Sequence, residues 1–274
     1  MQPRVIFMGS PDFALPTLQA LVDGPYEVVG VVTQPDRPAG RGRVLTPPPV
    51  KLLAETLGIP VIQPNRLREP GVFEQLQAWD PDLIVVTAFG QILRANVLDL
   101  PRKGCINVHA SLLPRWRGAA PIQAAILAGD EQSGATIMRM DPGVDTGPIL
   151  TQRPEKISPE DTAASLGERL AKSGADLLVE TLPAYLDGRI IPQAQDESGA
   201  TYAPMLKKEN GALDFQQSAV QLTRQIRAYY PWPGAYTLWE GLPLKVLKAR
   251  AVDAPADQPG TTLVWQGMPA VATR

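Results

Sequence analysis

Cys105-Ile106-Asn107-Val108-His109 alternates in the way a strand does, so Cys105, Asn107 and His109 share one face while Ile106 and Val108 take the other. Residues two apart on a strand have Cα atoms roughly 6.5–7 Å apart, close enough for their side chains to converge on one substrate atom. An amide can donate to a developing oxyanion, and an imidazole can donate or shuttle a proton. His109 is the only histidine of the chain. On pattern alone, a structural histidine satisfied by its neighbours is as good a reading. The run Asp141-Pro142-Gly143-Val144-Asp145-Thr146-Gly147 shifts the balance, because it places two carboxylates in a turn-rich loop. A carboxylate that meets an imidazole fixes its tautomer and favours its charged form. Cys105 lies on the same strand face but further from the strand end, and reads as packing.

These residues need a scaffold. Arg4 to Gly9 and Glu27 to Thr33 read as strands, with a helical pattern over Asp12–Val22 between them. Lys51–Leu57 and Gly71–Trp79 read as helices, and Val61-Ile62 as a short strand. Leu83-Ile84-Val85-Val86-Thr87 is a continuous apolar run, as expected of a parallel strand covered on both faces. Pro114 ends the strand region after His109, because proline cannot donate to a sheet ladder. A helix is expected over Ile122–Leu127. Two short strands, Thr136–Met140 and Ile149–Arg153, flank the aspartate loop, and a long helix runs from Ser158-Pro159-Glu160-Asp161 to Leu186. Strands alternating with helices predict an α/β fold with a doubly wound, mostly parallel sheet. Ligands of such sheets gather at the carboxyl ends of strands, where Asn107 and His109 fall.

Gly188 to Thr201 is polar, weakly periodic and rich in turn residues, and reads as a linker. The expected organisation is a catalytic domain over 1–186, a linker over 187–202 and a C-terminal domain over 203–274. In the last part a helix is expected over Ala219–Tyr229. Short strands around Tyr236–Trp239, Leu244–Ala249 and Thr261–Trp265 suggest a small barrel.

Net charge is −2, which argues against a protein that coats nucleic acid indiscriminately. From Ala203 onward, however, eight Lys/Arg face five Asp/Glu, a mild hint of a polyanionic partner that includes Lys207 and Lys208. One cysteine permits no internal disulfide, so a reducing cytoplasm is the expected compartment. One His and one Cys make a structural zinc site, or any other metal site, unexpected. No apolar run approaches the length of a membrane span. Gly9-Ser10-Pro11-Asp12 is not a Gly-x-Gly-x-x-Gly dinucleotide fingerprint, and reads as a turn in which Ser10 or Asp12 caps the next helix.

Between the second strand and its helix lies Pro35-Asp36-Arg37-Pro38-Ala39-Gly40-Arg41-Gly42-Arg43-Val44-Leu45-Thr46-Pro47-Pro48-Pro49. Such connections typically hold about 2–6 residues, and much longer ones tend to be functional or disordered. Its glycines let backbone approach a ligand closely, while Arg37, Arg41 and Arg43 suit phosphates. A basic arm on the reaction edge fits a nucleic-acid-borne substrate, against the plainer alternative of a mobile surface loop.

Asn107, His109, the Ser111-Leu112-Leu113-Pro114 run, Arg117-Gly118 and Asp145 together resemble the signature of the 10-formyltetrahydrofolate-dependent formyltransferases. The likeness extends along nearly the whole chain. The resemblance implies a Rossmann-like catalytic domain followed by an OB-like barrel. Members of that family continue through further strands past the position of Thr273, which implies a shortened, incomplete barrel here. It implies transfer of the formyl group of 10-formyltetrahydrofolate to the α-amino group of methionyl initiator tRNA, with Asn107, His109 and Asp145 catalytic. Ser111, Leu112, Leu113, Pro114, the Phe89-Gly90-Gln91-Ile92 turn and Asp141 would hold the folate. Arg37, Arg41, Arg43, Lys207 and Lys208 would contact the tRNA, with no metal and no obligate protein partner. Arg117 and Trp116 either pack or cap the following helix. Formylation of an amino sugar nucleotide, hydrolysis of formyl-folate, and an RNA-binding protein with a lapsed catalytic domain are the rival readings.

Overall fold

The structure is a computed structural model that describes residues 2–40, 42–255 and 258–274. In chain order the elements begin with β1 (Arg4–Gly9), α1 (Leu15–Asp23) and β2 (Glu27–Val32), then β3 (Arg37–Ala39) and β4 (Val44–Thr46). There follow α2 (Pro49–Thr56), β5 (Val61–Ile62), α3 (Val72–Ala78), β6 (Leu83–Thr87), α4 (Ala95–Leu98) and β7 (Cys105–His109). The middle of the chain forms β8 (Arg117–Gly118), α5 (Pro121–Ala128), β9 (Gln132–Arg139), β10 (Ile149–Lys156) and α6 (Ala163–Leu186). Last come β11 (Tyr202–Ala203), α7 (Ala219–Ala228), β12 (Ala235–Trp239), β13 (Leu242–Val246), β14 (Thr262–Trp265) and β15 (Met268–Val271). The chain divides into two compact units, one of residues 1–118, 134–155 and 167–202, the other of 119–133, 156–166 and 203–274.

Among the described residues, the first unit is built on a seven-stranded sheet in the order β10-β9-β7-β6-β1-β2-β5. Pairing is parallel from β7 across to β5, and β7 meets β9 antiparallel. The apolar strand β6 is buried end to end, and β1 from Val5 to Gly9. Their alternation serves two cores, as a doubly covered sheet requires. Val5, Phe7, Leu83 and Val85 join Leu18 and Leu21 of α1, Val50 and Ala54 of α2, and Leu178 and Leu182 of α6. Ile6, Met8, Ile84 and Val86 join Leu76 and Trp79 at α3 and Val97 of α4 on the other side. Burying a leucine of this kind contributes about 1.5–3 kcal/mol. α6 comes down hard on β7: a Cβ added at Gly174 would lie 2.7 Å from a methyl of Val108. That contact is one reason the strand carrying the polar pair stays in place.

The long basic connection is not structureless. β3 and β4 pair antiparallel, Arg37 opposite Thr46 and Ala39 opposite Val44. Asp36 anchors the base of this hairpin, accepting from Lys51 Nζ at 2.8 Å and Gln63 Nε2 at 2.7 Å. These hydrogen bonds, that from Gln63 foremost, hold the Asp36 carboxyl below the usual carboxylate range.

The segment 187–202, polar and turn-rich in sequence, runs along the first unit and is tied to it by hydrogen bonds. Gln193 exchanges both backbone hydrogen bonds with Ile149, at 2.7 and 2.8 Å, and Thr201 accepts from the Arg117 N–H at 2.8 Å.

In the second unit, α7 opens with a reciprocal cap in which Ser218 Oγ accepts from the Gln221 N–H and Gln221 Oε1 from the Ser218 N–H. Its apolar face packs on α5, and Arg227 donates to the Asp161 carbonyl at 2.8 Å. Among the described residues, the β-rich part consists of two antiparallel hairpins, β12–β13 and β14–β15. Each turns through two residues with positive φ, Glu240-Gly241 and Gln266-Gly267, the type that suits strand twist.

Candidate active site

β7 delivers the polar pair. Asn107 lies between Val86 of β6 and Met138 of β9, and His109 opposite Thr136. Both side chains are buried, at 9% and 6% exposure. A buried amide and imidazole need partners, and the aspartate loop between β9 and β10 supplies one for both. Asp145 Oδ1 accepts from Asn107 Nδ2 at 3.3 Å and lies 3.7 Å from His109 Nδ1. Its Oδ2 accepts from the Gly118 N–H at 2.8 Å. The loop is pressed onto β9, since a Cβ at Gly147 would collide with the Arg139 carbonyl oxygen. Asp145 itself has a φ of +54°, a conformation aspartate tolerates better than most residues but still at a cost.

The other imidazole nitrogen settles the tautomer. His109 Nε2 is 3.0 Å from the carbonyl oxygen of Trp116. A carbonyl can only accept, so Nε2 carries the hydrogen and Nδ1, in the neutral ring, is the basic nitrogen. Trp116 has a φ of +61°, an uncommon conformation for a bulky residue. The backbone on both sides of His109 is thus held in strained conformations by its surroundings.

The turn that presents Trp116 explains the Ser111–Pro114 run. Ser111 is fully buried, and its hydroxyl donates to the Arg115 carbonyl at 2.6 Å. The Ser111 carbonyl accepts from Thr136 Oγ1 at 2.6 Å, and that of Leu113 from Gln152 Nε2 at 2.8 Å. Leu113 is buried and its bond to Pro114 is cis. Ser111 and Leu113 therefore hold the turn in shape.

A cleft of about 110 Å³ opens beside Asp145, lined by Gln91, Ile92, Leu93, Met138, Met140, Asp141, Gly143, Val144 and Asp145. Of the folate-binding residues expected from sequence, it brings together Ile92 and Asp141. Phe89 is buried against the α3–α4 core, and Gly90 turns the chain at a φ of +77°. Asp141 spends one oxygen on its own loop, accepting from the Gly143 N–H at 3.0 Å and Thr146 Oγ1 at 2.7 Å.

Arg117, left open between packing and capping, does neither in a simple way. It is fully buried, and its guanidinium donates to Glu197 at 2.7 and 2.9 Å and to Gln195 Oε1 at 2.8 and 3.0 Å. The hydrogen-bonded Glu197 raises the Arg117 pKa, and Arg117 holds the Glu197 carboxyl below its ordinary value. Gln195 and Glu197 escaped the sequence reading because nothing local marks a glutamine in a polar stretch.

Arg37 and Arg43 are exposed on the β3–β4 hairpin, Arg37 donating to Gln34 Oε1 at 2.9 Å. Arg41 lies outside the described residues. Lys207 and Lys208 are exposed in the second unit, where the Lys207 N–H donates to Asn210 Oδ1 at 2.7 Å. Cys105 shares the face of Asn107 but is buried, and burial pushes its thiol pKa up to about 12. It is no nucleophile, and packing is its role.

An amide, an oriented imidazole and a carboxylate grouped beside a cleft, with the nearby thiol inert, can together stabilise an oxyanion and move a proton, as acyl-type transfer requires. Comparison with known proteins makes this specific. Residues 3–182 match the family described as formyl transferase, and residues 205–274 its C-terminal domain. The methionyl-tRNA formyltransferase of Magnetococcus marinus is 56% identical over 249 residues, covering 91% of this chain and 80% of that protein. That of Halorhodospira halophila is 56% identical over 262 residues, covering 95% and 84%. Among solved structures, a sugar N-formyltransferase from a Shewanella species superposes with a TM-score of 0.70 at 20% identity, covering 92% of this chain and 99% of that one. An N-formyltransferase from Helicobacter canadensis, in complex with folinic acid and dTDP-3-aminofucose, gives 0.73 at 17% identity, covering 100% and 96%. This chain belongs to the formyl transferase family.

Proposed function

We propose that this protein transfers the formyl group of 10-formyltetrahydrofolate to the α-amino group of methionyl initiator tRNA, in the cytoplasm. The observation that carries the chemistry is Asp145, which lines the cleft, meeting Asn107 and His109 together. The acceptor is supported by the relatives that carry the methionyl-tRNA name, 50–56% identical over 91–96% of this chain. Two sugar N-formyltransferases share the fold at only 17–20% identity.

The residues lining the cleft support a folate as donor through the part of it they can face. The cleft has apolar walls from Leu93, Met138 and Met140, suited to a flat heterocycle, and the Asp141–Asp145 loop gives it a polar edge. When bound, the folate supplies an activated one-carbon unit at the oxidation level of formate. The amine of the acceptor is itself a nucleophile, so no residue of this chain needs to be acylated. Asn107 has two amide hydrogens, and Asp145 takes one. The other is free to donate to the formyl oxygen as negative charge develops there, a role whose loss typically costs about 2.7–4 kcal/mol of barrier. His109 Nδ1 accepts the proton that the amine sheds as the new C–N bond forms. Asp145 Oδ1, 3.7 Å away, stabilises the resulting imidazolium. The same proton then returns from His109 to the departing nitrogen as the old C–N bond breaks.

Helices suited to crossing a membrane are absent among the described residues. The decisive test is incubation of the purified protein with 10-formyltetrahydrofolate and methionyl initiator tRNA. Formylmethionyl-tRNA is the expected product. Formate without transfer would instead make it a hydrolase, and neither product would leave only the RNA-binding reading.

A further inference from the structure

Gln195 stands between the buried Arg117 and the loop that carries Asp145, and uses every hydrogen-bonding position it has. Its Oε1 accepts from Arg117 Nε at 3.0 Å and Nη2 at 2.8 Å. Its Nε2 donates to the carbonyl of Asp145 at 2.9 Å and to that of Gly147 at 2.7 Å. One acceptor oxygen and two amide hydrogens are what a glutamine side chain has to offer. Glutamate would keep the pairing with Arg117 but set a negative charge against two carbonyl oxygens. Asparagine is one methylene too short for the span, and lysine has no acceptor for Arg117.

The anchor is firm. Arg117 is fully buried, stays charged, and is gripped on its other edge by both oxygens of Glu197. The next residue, Gly118, donates its N–H to Asp145 Oδ2 at 2.8 Å. Arg117 thus reaches Asp145 along two routes, through the backbone to its carboxylate and through Gln195 to its carbonyl. Asp145 needs such restraint, because a φ of +54° persists only where the surroundings over-determine it. In that conformation its carboxylate reaches Asn107 and His109 together.

We propose that Gln195 is a positioning residue for the transfer reaction: it fixes the backbone of Asp145 so that the carboxylate faces His109 Nδ1 and Asn107 Nδ2. Gln195 touches no reacting atom itself. The inference rests on the formyl-transfer reading for its kinetic part and on geometry alone for its structural part.

The test uses the full chain with Gln195→Glu, and Gln195→Met as a second variant should the first not fold. Transfer by the parent protein is measured first, since a parent that forms no formylmethionyl-tRNA overturns the functional reading before any variant is compared. In the variants, kcat should fall by about 10–100-fold, the scale expected when a catalytic group is misplaced by a fraction of an ångström to an ångström. The KM values for folate and tRNA should stay within about twofold, because no binding contact is removed. The same change made in an Asp145→Asn background should cost nothing further, as Gln195 acts only through that carboxylate. A spectroscopic reading needs no activity at all. His109 is the only histidine, so its ring signals in NMR spectra are unambiguous, and they should move in Gln195→Glu as they do in Asp145→Asn. Unchanged kcat, an equal loss in both backgrounds, or His109 signals at their parent positions would each overturn the positioning role.

Discussion

Two loops that follow strands of one sheet, β9 and β2, are built in opposite ways. The Asp141–Gly147 loop is packed on β9, tied by its own side chains and by Gln195, and holds Asp145 in a strained backbone conformation. The β3–β4 hairpin is tied at its base, through Asp36 and Gln34, and carries Arg43, Val44 and Leu45 exposed at its far end. Chemistry needs donors and acceptors fixed before the substrate arrives, because reorganising them would add to the barrier. Contact with a large polyanion needs charge and reach more than a fixed geometry. The difference separates what each loop should do when damaged.

The largest expected effect comes from the packed loop. Asp145→Ala should reduce kcat by about 10²–10⁴-fold, and His109→Ala should act on the same scale, with circular dichroism unchanged. Near-normal turnover at saturating substrates in either variant would remove the proton-transfer role. Asn107→Asp comes next: it exchanges a donor for a charge facing both the developing oxyanion and the Asp145 carboxylate 3.3 Å away. Its kcat should fall by at least about 10²–10³-fold, and further than in Asn107→Ala. Equal rates in those two variants would mean that only the missing amide matters.

The exposed hairpin should respond differently. Arg37→Gln and Arg43→Gln should leave folate affinity near the parent value while weakening tRNA. Each lost phosphate contact should flatten the log–log salt dependence of tRNA binding by about 0.7–0.9. An unchanged salt slope with weakened folate would make the hairpin a lid over the cleft, and the contrast between the two loops would disappear.

Smaller still is the effect expected behind the packed loop. The Glu197 carboxyl is depressed by its hydrogen bonds to Arg117, so its contribution to stability is complete above the ordinary glutamate value of about 4.3 and fades as pH falls through the depressed one. The Tm gap between the parent and Glu197→Gln should therefore narrow as the pH is lowered below about 4. A constant gap would assign the contact a packing role alone. The least response belongs to Cys105, whose buried thiol should resist alkylation at pH 8 in the native protein and react only after unfolding. Rapid native labelling would show that β7 opens.

Much of the scaffold was legible in the chain because its signals are local. The unbroken apolar run of β6, the alternation of β7 and the helical period of α6 follow from which faces are covered, and a residue's immediate neighbours reveal that. The signature around Asn107 and His109, with Asp145 in a turn-forming run, was likewise visible as residue types at spacings. Tertiary structure alone decided how those groups act. Trp116 settles the choice between two histidine tautomers through a backbone carbonyl, which side-chain identity does not encode. Asp145 reaches Asn107 across 38 positions, and Arg117 reaches Gln195 across 78, in a stretch that read as a mere connection. A hydrogen bond depends on where two groups come to rest, to within a few tenths of an ångström. Periodicity records only which way each one faces.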